Sequence, residues 1–94
     1  MTKAEIIAEI SNKTGLEKVD VQETVEAFFK VVKNAMISGE NVYVRGFGSF
    51  VVKKRAEKTA RNISKNTAII IPAHYVPTFK PAKTFVEKVK SGNK

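Results

Sequence analysis

Lys53-Lys54-Arg55-Ala56-Glu57-Lys58-Thr59-Ala60-Arg61-Asn62-Ile63-Ser64-Lys65-Asn66-Thr67, followed by Ala68-Ile69-Ile70-Ile71-Pro72-Ala73, is the stretch on which the reading of this chain turns. Its first part carries six basic side chains and almost nothing apolar, and its second is a β-branched run closed by proline. Two readings are open. Long polar insertions are usually solvated and disordered. The alternative is a two-stranded ribbon projecting from the body, with its turn near Asn62 to Asn66. Strand-forming residues on both flanks and the Asn-rich centre favour the ribbon.

Upstream, Val42 and Val44 alternate with Tyr43 and Arg45, and Phe50, Val51 and Val52 follow Gly46-Phe47-Gly48. This predicts a β-hairpin with glycines in the turn. As a phosphate-binding fingerprint, Gly-Phe-Gly is too short.

Two helices are predicted before it. Thr2-Lys3-Ala4-Glu5 fits a capping box, and Ile6, Ile7 and Ile10 fall on one face of a helix over about Lys3 to Thr14, stopped at Gly15. Val21, Val25, Phe28, Val32, Ala35 and Met36 then repeat with a period near 3.6, widened by Phe29 and ended at Gly39. Joined by a short link, the pair makes a helical hairpin, read as scaffold. Downstream, Val76-Pro77-Thr78-Phe79-Lys80-Pro81 reads as an extended connector. Pro81 would open a last helix over about Ala82 to Val89, with Phe85 and Val89 inward and Ser91 to Lys94 a frayed tail.

Charge is unevenly placed. Residues 1 to 45 hold six basic and seven acidic side chains, net −1, whereas residues 46 to 94 hold eleven basic residues against Glu57 and Glu87, net +9. A field so concentrated points to a polyanionic partner, nucleic acid or an anionic membrane surface. Solubilising charge would be spread more evenly. No stretch of the basic half reads as an amphipathic helix with bulky apolar anchors, so a membrane surface fits poorly. RNA stays open on charge alone, although no aromatic platform for stacked bases is evident.

Other chemistry finds little support. There is no cysteine, one histidine (His74) and one aspartate (Asp20), so disulfides and thiolate metal sites are excluded and no nucleophile–base pair stands out. No cofactor, metal or small-molecule substrate is expected, and the chain does not read as an enzyme. Met1 to Glu9, with Lys3, Glu5 and Glu9 among a few apolar positions, do not read as a signal peptide, and no apolar run approaches the roughly 18 residues of a membrane span. At 94 residues it reads as one domain, residues 1–94, with an arm at approximately 53–73. A chain this short often needs a partner subunit to complete its core.

Within the predicted ribbon, Lys53 and Arg55 would share a strand face and Arg61 could join them, while Lys58 falls out of phase unless the strand is bulged or twisted. Basic ribbons can occupy a DNA groove. These charges could also serve only to keep an edge strand from aggregating.

Taken together, Gly46-Phe47-Gly48-Ser49-Phe50, Arg55-Ala56-Glu57-Lys58-Thr59 leading into Arg61-Asn62, Ile71-Pro72-Ala73, and Val76-Pro77-Thr78-Phe79-Lys80 with Lys83 resemble the HU/integration host factor family of bacterial DNA-bending proteins over essentially the whole chain. The resemblance implies an α+β fold: an intertwined dimer with a helical-hairpin base, a β-sheet saddle and protruding β-ribbon arms. Family members wrap the minor groove with two arms and kink the duplex with an apolar wedge at each tip. The implied DNA-binding residues are Lys3, Arg45, Gly46, Ser49, Lys53, Arg55, Lys58, Arg61, Asn62, Ile63, Lys65, Lys80 and Lys83. Ile63 stands where the family usually has proline and is the implied wedge. Ala60 and Asn66 stand where it tends to have glycine, and Val86 replaces a common basic residue. The implied partners are double-stranded DNA and a second subunit, a copy of the chain or a paralogue, in the bacterial cytoplasm at the nucleoid.

Overall fold

The computed structural model describes residues 1 to 62 and 67 to 93. They form two compact units, Met1–Ala35 and Met36–Lys94. The first holds helix α1 (Lys3–Thr14) and most of helix α2 (Lys18–Ile37). Thr2 caps α1, its hydroxyl oxygen accepting from the Glu5 backbone N–H at 3.2 Å. The Glu5 carboxylate reaches back as expected, but it accepts from the Thr2 hydroxyl at 3.3 Å and not from the backbone. Gly15 stops the helix in a left-handed conformation, φ 75°, with its N–H donating to the Ser11 carbonyl. Lys3 Nζ and Glu26 Oε1, 3.0 Å apart, link the two helices as the arms of a hairpin.

The buried apolar residues among those described are Ile7, Val21 and Val32. Phe28 and Phe29 remain 48% and 46% exposed, so the apolar stripe of α2 is only partly covered within the protomer. Their rings meet edge to face, 5.4 Å between centroids.

In the second unit, β1 (Val42–Val44), β2 (Gly48–Arg55) and β5 (His74–Pro81) form an antiparallel sheet in the order β1-β2-β5. A separate two-stranded ladder pairs β3 (Lys58–Asn62) with β4 (Thr67–Ile71). Helix α3 (Lys83–Gly92) follows. The ribbon reading therefore holds for the described residues, and the register is informative. Arg55 faces His74, and three residues on Lys58 faces Ile71, three residues back. The β3–β4 ladder continues that of β2–β5 without a slip, interrupted where Ala56-Glu57 and Pro72-Ala73 leave strand geometry. Pro72 has no N–H to give a ladder, which suits a break there. No bulge separates Lys58 from Arg55, since each side contributes two residues to the interruption.

Three expectations change. Residues 76 to 81 are not a connector but most of β5, paired with β2 along its whole length. Pro77, opposite Val52, is tolerated because β5 lies at the sheet edge, where a missing donor costs no ladder on its outer side. Pro81 closes β5 instead of opening a helix; Ala82 is the cap of α3, which takes in Ser91 and Gly92. Val89 is 47% exposed; the inward residues of α3 are Phe85, whose ring centroid lies 5.1 Å from that of Phe47, and Val86.

Gly48 shows why the turn after β1 needs glycine. A Cβ at that position would lie 2.5 Å from the Lys80 carbonyl oxygen and 2.7 Å from the Phe79 ring. The close approach of β5 to β2 depends on the missing side chain.

Candidate nucleic-acid interface

Directly paired residues on antiparallel strands share a face of the sheet, and faces alternate along each strand. One face carries Phe50 opposite Phe79 and Val52 opposite Pro77. Phe47 and Phe85 join the phenylalanines in a cluster with centroids 5.0 to 6.5 Å apart. The other face carries Tyr43, Ser49 and Lys80 in one cross-strand row, then Val51 with Thr78, Lys53 with Val76, and Arg55 with His74.

This second face brings together much of the expected site. Lys53, Arg55 and Lys80 are on it and exposed, with no acidic residue among the paired positions. Placing unpaired cations in water avoids the penalty of burial and leaves their charge available to an anion. At its β1 end, Tyr43, Arg45, Ser49, Lys80 and Ala82 line an open depression. Gly46 sits in the turn at φ 81°, and Lys83 is the first residue of α3, next to a cap that makes no side-chain hydrogen bond. Lys54, opposite Tyr75, belongs to the aromatic face.

Lys58 opens β3 and is exposed, and Arg61 and Asn62 pair through their backbones with Ala68 and Thr67. Ile63 and Lys65 lie outside the described residues. Lys3 belongs to the helical unit and is engaged by Glu26, whose carboxyl is held below its ordinary value by the Lys3 hydrogen bond, then by Gln22 and the Lys3 charge. Both partners are exposed, so the pair is cheap to open.

Reasoning from sequence passed over Tyr43, Thr78 and His74 on the cationic face. Extending the alternation of β2 across a paired β5 would have found them, but residues 76 to 81 read as a connector. His74 Nδ1 donates to the Pro72 carbonyl at 2.9 Å. Among the described residues no group of three or more His, Cys, Asp or Glu side chains could hold a metal ion, and no helix is long and apolar enough to cross a membrane.

Fold and face together define a small α+β protein with one cationic sheet surface running into a basic ribbon. Residues 1–90 match the family model described as bacterial DNA-binding protein, and the chain belongs to that family. It is 41% identical over 91 residues to the SPbeta prophage-derived DNA-binding protein HU 2 of Bacillus subtilis, covering 97% of this chain and 99% of the relative. It is 40% identical over 91 residues to the integration host factor subunit alpha of Aliivibrio fischeri, covering 97% and 93%. A cocrystal structure of Anabaena HU with DNA superposes with a TM-score of 0.89 at 34% identity, covering 95% of this chain and 97% of that one. The fold is that of HU.

Proposed function

We propose that this chain is an architectural DNA-binding protein, acting by binding and not by catalysis, which wraps duplex DNA with β-ribbon arms in the minor groove and bends it with little sequence preference. The observation that carries this reading is the continuous register by which the cationic face of β2–β5 leads into the exposed basic ribbon β3–β4. A ladder whose strand β4 is exposed throughout has little reason to persist unless another surface closes on it. The family membership and the DNA-bound Anabaena neighbour support the same reading.

The working unit is a dimer, two copies of this chain or one copy with a paralogue. Phe28, Phe29, Phe47 and Phe79 are between 38% and 48% exposed in the protomer, while Ile7, Val21 and Val32 are the buried hydrophobics among the described residues. So much exposed aromatic surface on so small a chain calls for a subunit to cover it. In that dimer the whole of residues 1–94 serves as one DNA-binding domain.

Lys53, Arg55, Lys58, Arg61 and Lys65 contact phosphates and groove walls, with Asn62 reading groove edges. Arg45, Gly46, Ser49, Lys80 and Lys83 hold the flanking backbone, and Lys3 exchanges Glu26 for phosphate. Ile63, carried over from the family pattern, parts a base step. The minor groove displays little beyond A·T against G·C. Selection therefore falls on flexible, nicked or pre-bent DNA. The protein works in the cytoplasm, on the nucleoid.

Affinity should fall at least roughly a thousandfold between 50 and 200 mM salt, as for a protein neutralising six or more phosphates. A flat dependence of log affinity on log salt would refute the proposal. Ile63→Ala should keep most of the affinity and lose the bend in an energy-transfer assay on doubly labelled duplex. An unchanged bend removes Ile63 from the role of wedge.

A further inference from the structure

Tyr43 occupies an unusual place for a phenol. It is 73% exposed in the short edge strand β1, yet its hydroxyl is not merely left to water. Asn41, just before β1, accepts from the Val52 backbone N–H through Oδ1 at 2.9 Å. A backbone N–H can only donate, so the Asn41 atom facing it is the oxygen and the other is the amide nitrogen. That Nδ2 donates to Tyr43 Oη at 3.4 Å. The phenol oxygen is thus an acceptor toward Asn41, and its own proton is free to be given elsewhere.

What surrounds it on the sheet is anion-binding chemistry. Ser49 pairs with Tyr43 on one side and with Lys80 on the other. The same open depression is lined by Arg45. Two cations and two hydroxyls border one concavity, and the hydroxyl at its outer edge is oriented by a side chain that is itself held by the backbone of β2.

We infer that Tyr43 is an additional, uncharged contact to the DNA backbone: its hydroxyl donates to an oxygen of a phosphate diester seated between Arg45 and Lys80, with Asn41 as the positioning residue. Phenol hydroxyls are regular partners of DNA phosphates. A hydrogen bond to an anionic oxygen is also stronger than one between neutral groups. The inference rests on the DNA-binding reading and adds to it a contact that charge counting cannot see.

Because a neutral donor displaces no counterion, its signature differs from that of a lysine. Binding of a fluorescein-labelled duplex of mixed sequence, followed by anisotropy over a salt series, separates the two. Tyr43→Phe should weaken binding about fivefold or more at every salt concentration, with an unchanged log–log slope and an unchanged thermal unfolding midpoint. Lys80→Ala should weaken binding and also flatten the slope, by about one for each copy of the lysine in the dimer. Wild-type affinity in Tyr43→Phe, a flattened slope in that variant, or a lowered unfolding midpoint would each overturn the inference. A flat slope for the wild-type protein would instead bring down the DNA-binding reading, so the two failures are told apart.

Discussion

The strand pairs β2–β5 and β3–β4 are the inner and outer stretches of one antiparallel hairpin in one register, yet their surroundings differ sharply. Along the inner stretch, one face is covered by the cluster of Phe47, Phe50, Phe79 and Phe85 while the other presents Lys53, Arg55 and Lys80. Every residue of β4 is exposed, including Ile69 at 46%, Ile70 at 64% and Ile71 at 37%. Backbone hydrogen bonding can therefore extend a ribbon past the point where packing stops supporting it. The inner part is held by side chains and the outer part by its ladder. An exposed apolar strand invites edge-to-edge association, and the cations of β3 guard against it.

The sharpest way to break that contrast is Gly48→Ala. Its Cβ would meet the Lys80 carbonyl and the Phe79 ring at 2.5 to 2.7 Å, so β2 and β5 would have to separate where packing is tightest. A loss on the order of 3 kcal/mol is expected in urea unfolding at fixed protein concentration. A loss under about 1 kcal/mol would mean that the inner hairpin yields as easily as the outer one. Ile70→Ala probes the opposite end. At 64% exposure its removal should change stability by less than about 0.5 kcal/mol. A cost near that of a core truncation would show that the ribbon is packed in solution.

The smallest effect is expected in the helical unit. The Glu26 carboxyl is held below its ordinary value, mainly by the Lys3 hydrogen bond. A depressed carboxyl contributes stability above its unfolded value, and that contribution is lost as pH falls through the folded one. Glu26→Gln should therefore be slightly less stable than wild type at neutral pH, with the difference vanishing in acid, below the ordinary value of 4.5. Solvent screens this exposed pair, so the gap should be near the limit of a pH series of denaturant midpoints. A gap that widened in acid would contradict the assigned cause.

Much of this architecture was legible beforehand, for reasons particular residues make clear. The repeat from Val21 to Met36 runs long enough that only a helix satisfies it, and the observed α2 spans Lys18–Ile37. Thr2 and Gly15 mark the ends of α1 because caps are local chemistry. Strand pairing is not local. Val76 to Pro81 looked like a connector because Pro77 speaks against a central strand, and only the order β1-β2-β5 shows that this strand lies at an edge. The site divides along the same line. Lys53 and Arg55 share a face by alternation within one strand. Ser49, on the same strand, joins them by the same alternation, whereas Lys80 and Tyr43 do so through cross-strand register, which their spacing in the chain does not reveal.

By itself, the order of residues determined the helices, the glycine turn, the clustering of basic charge and the family, since each is written in short-range periodicity, capping chemistry, composition or motif. Tertiary structure alone decided which face of the sheet carries the cations, why Gly48 admits no side chain, and how far the ladder runs beyond its aromatic support. Those outcomes depend on pairing and packing between separate strands, from Asn62 with Thr67 to Gly48 with Pro81, where the free energy belongs to the pair and not to either segment.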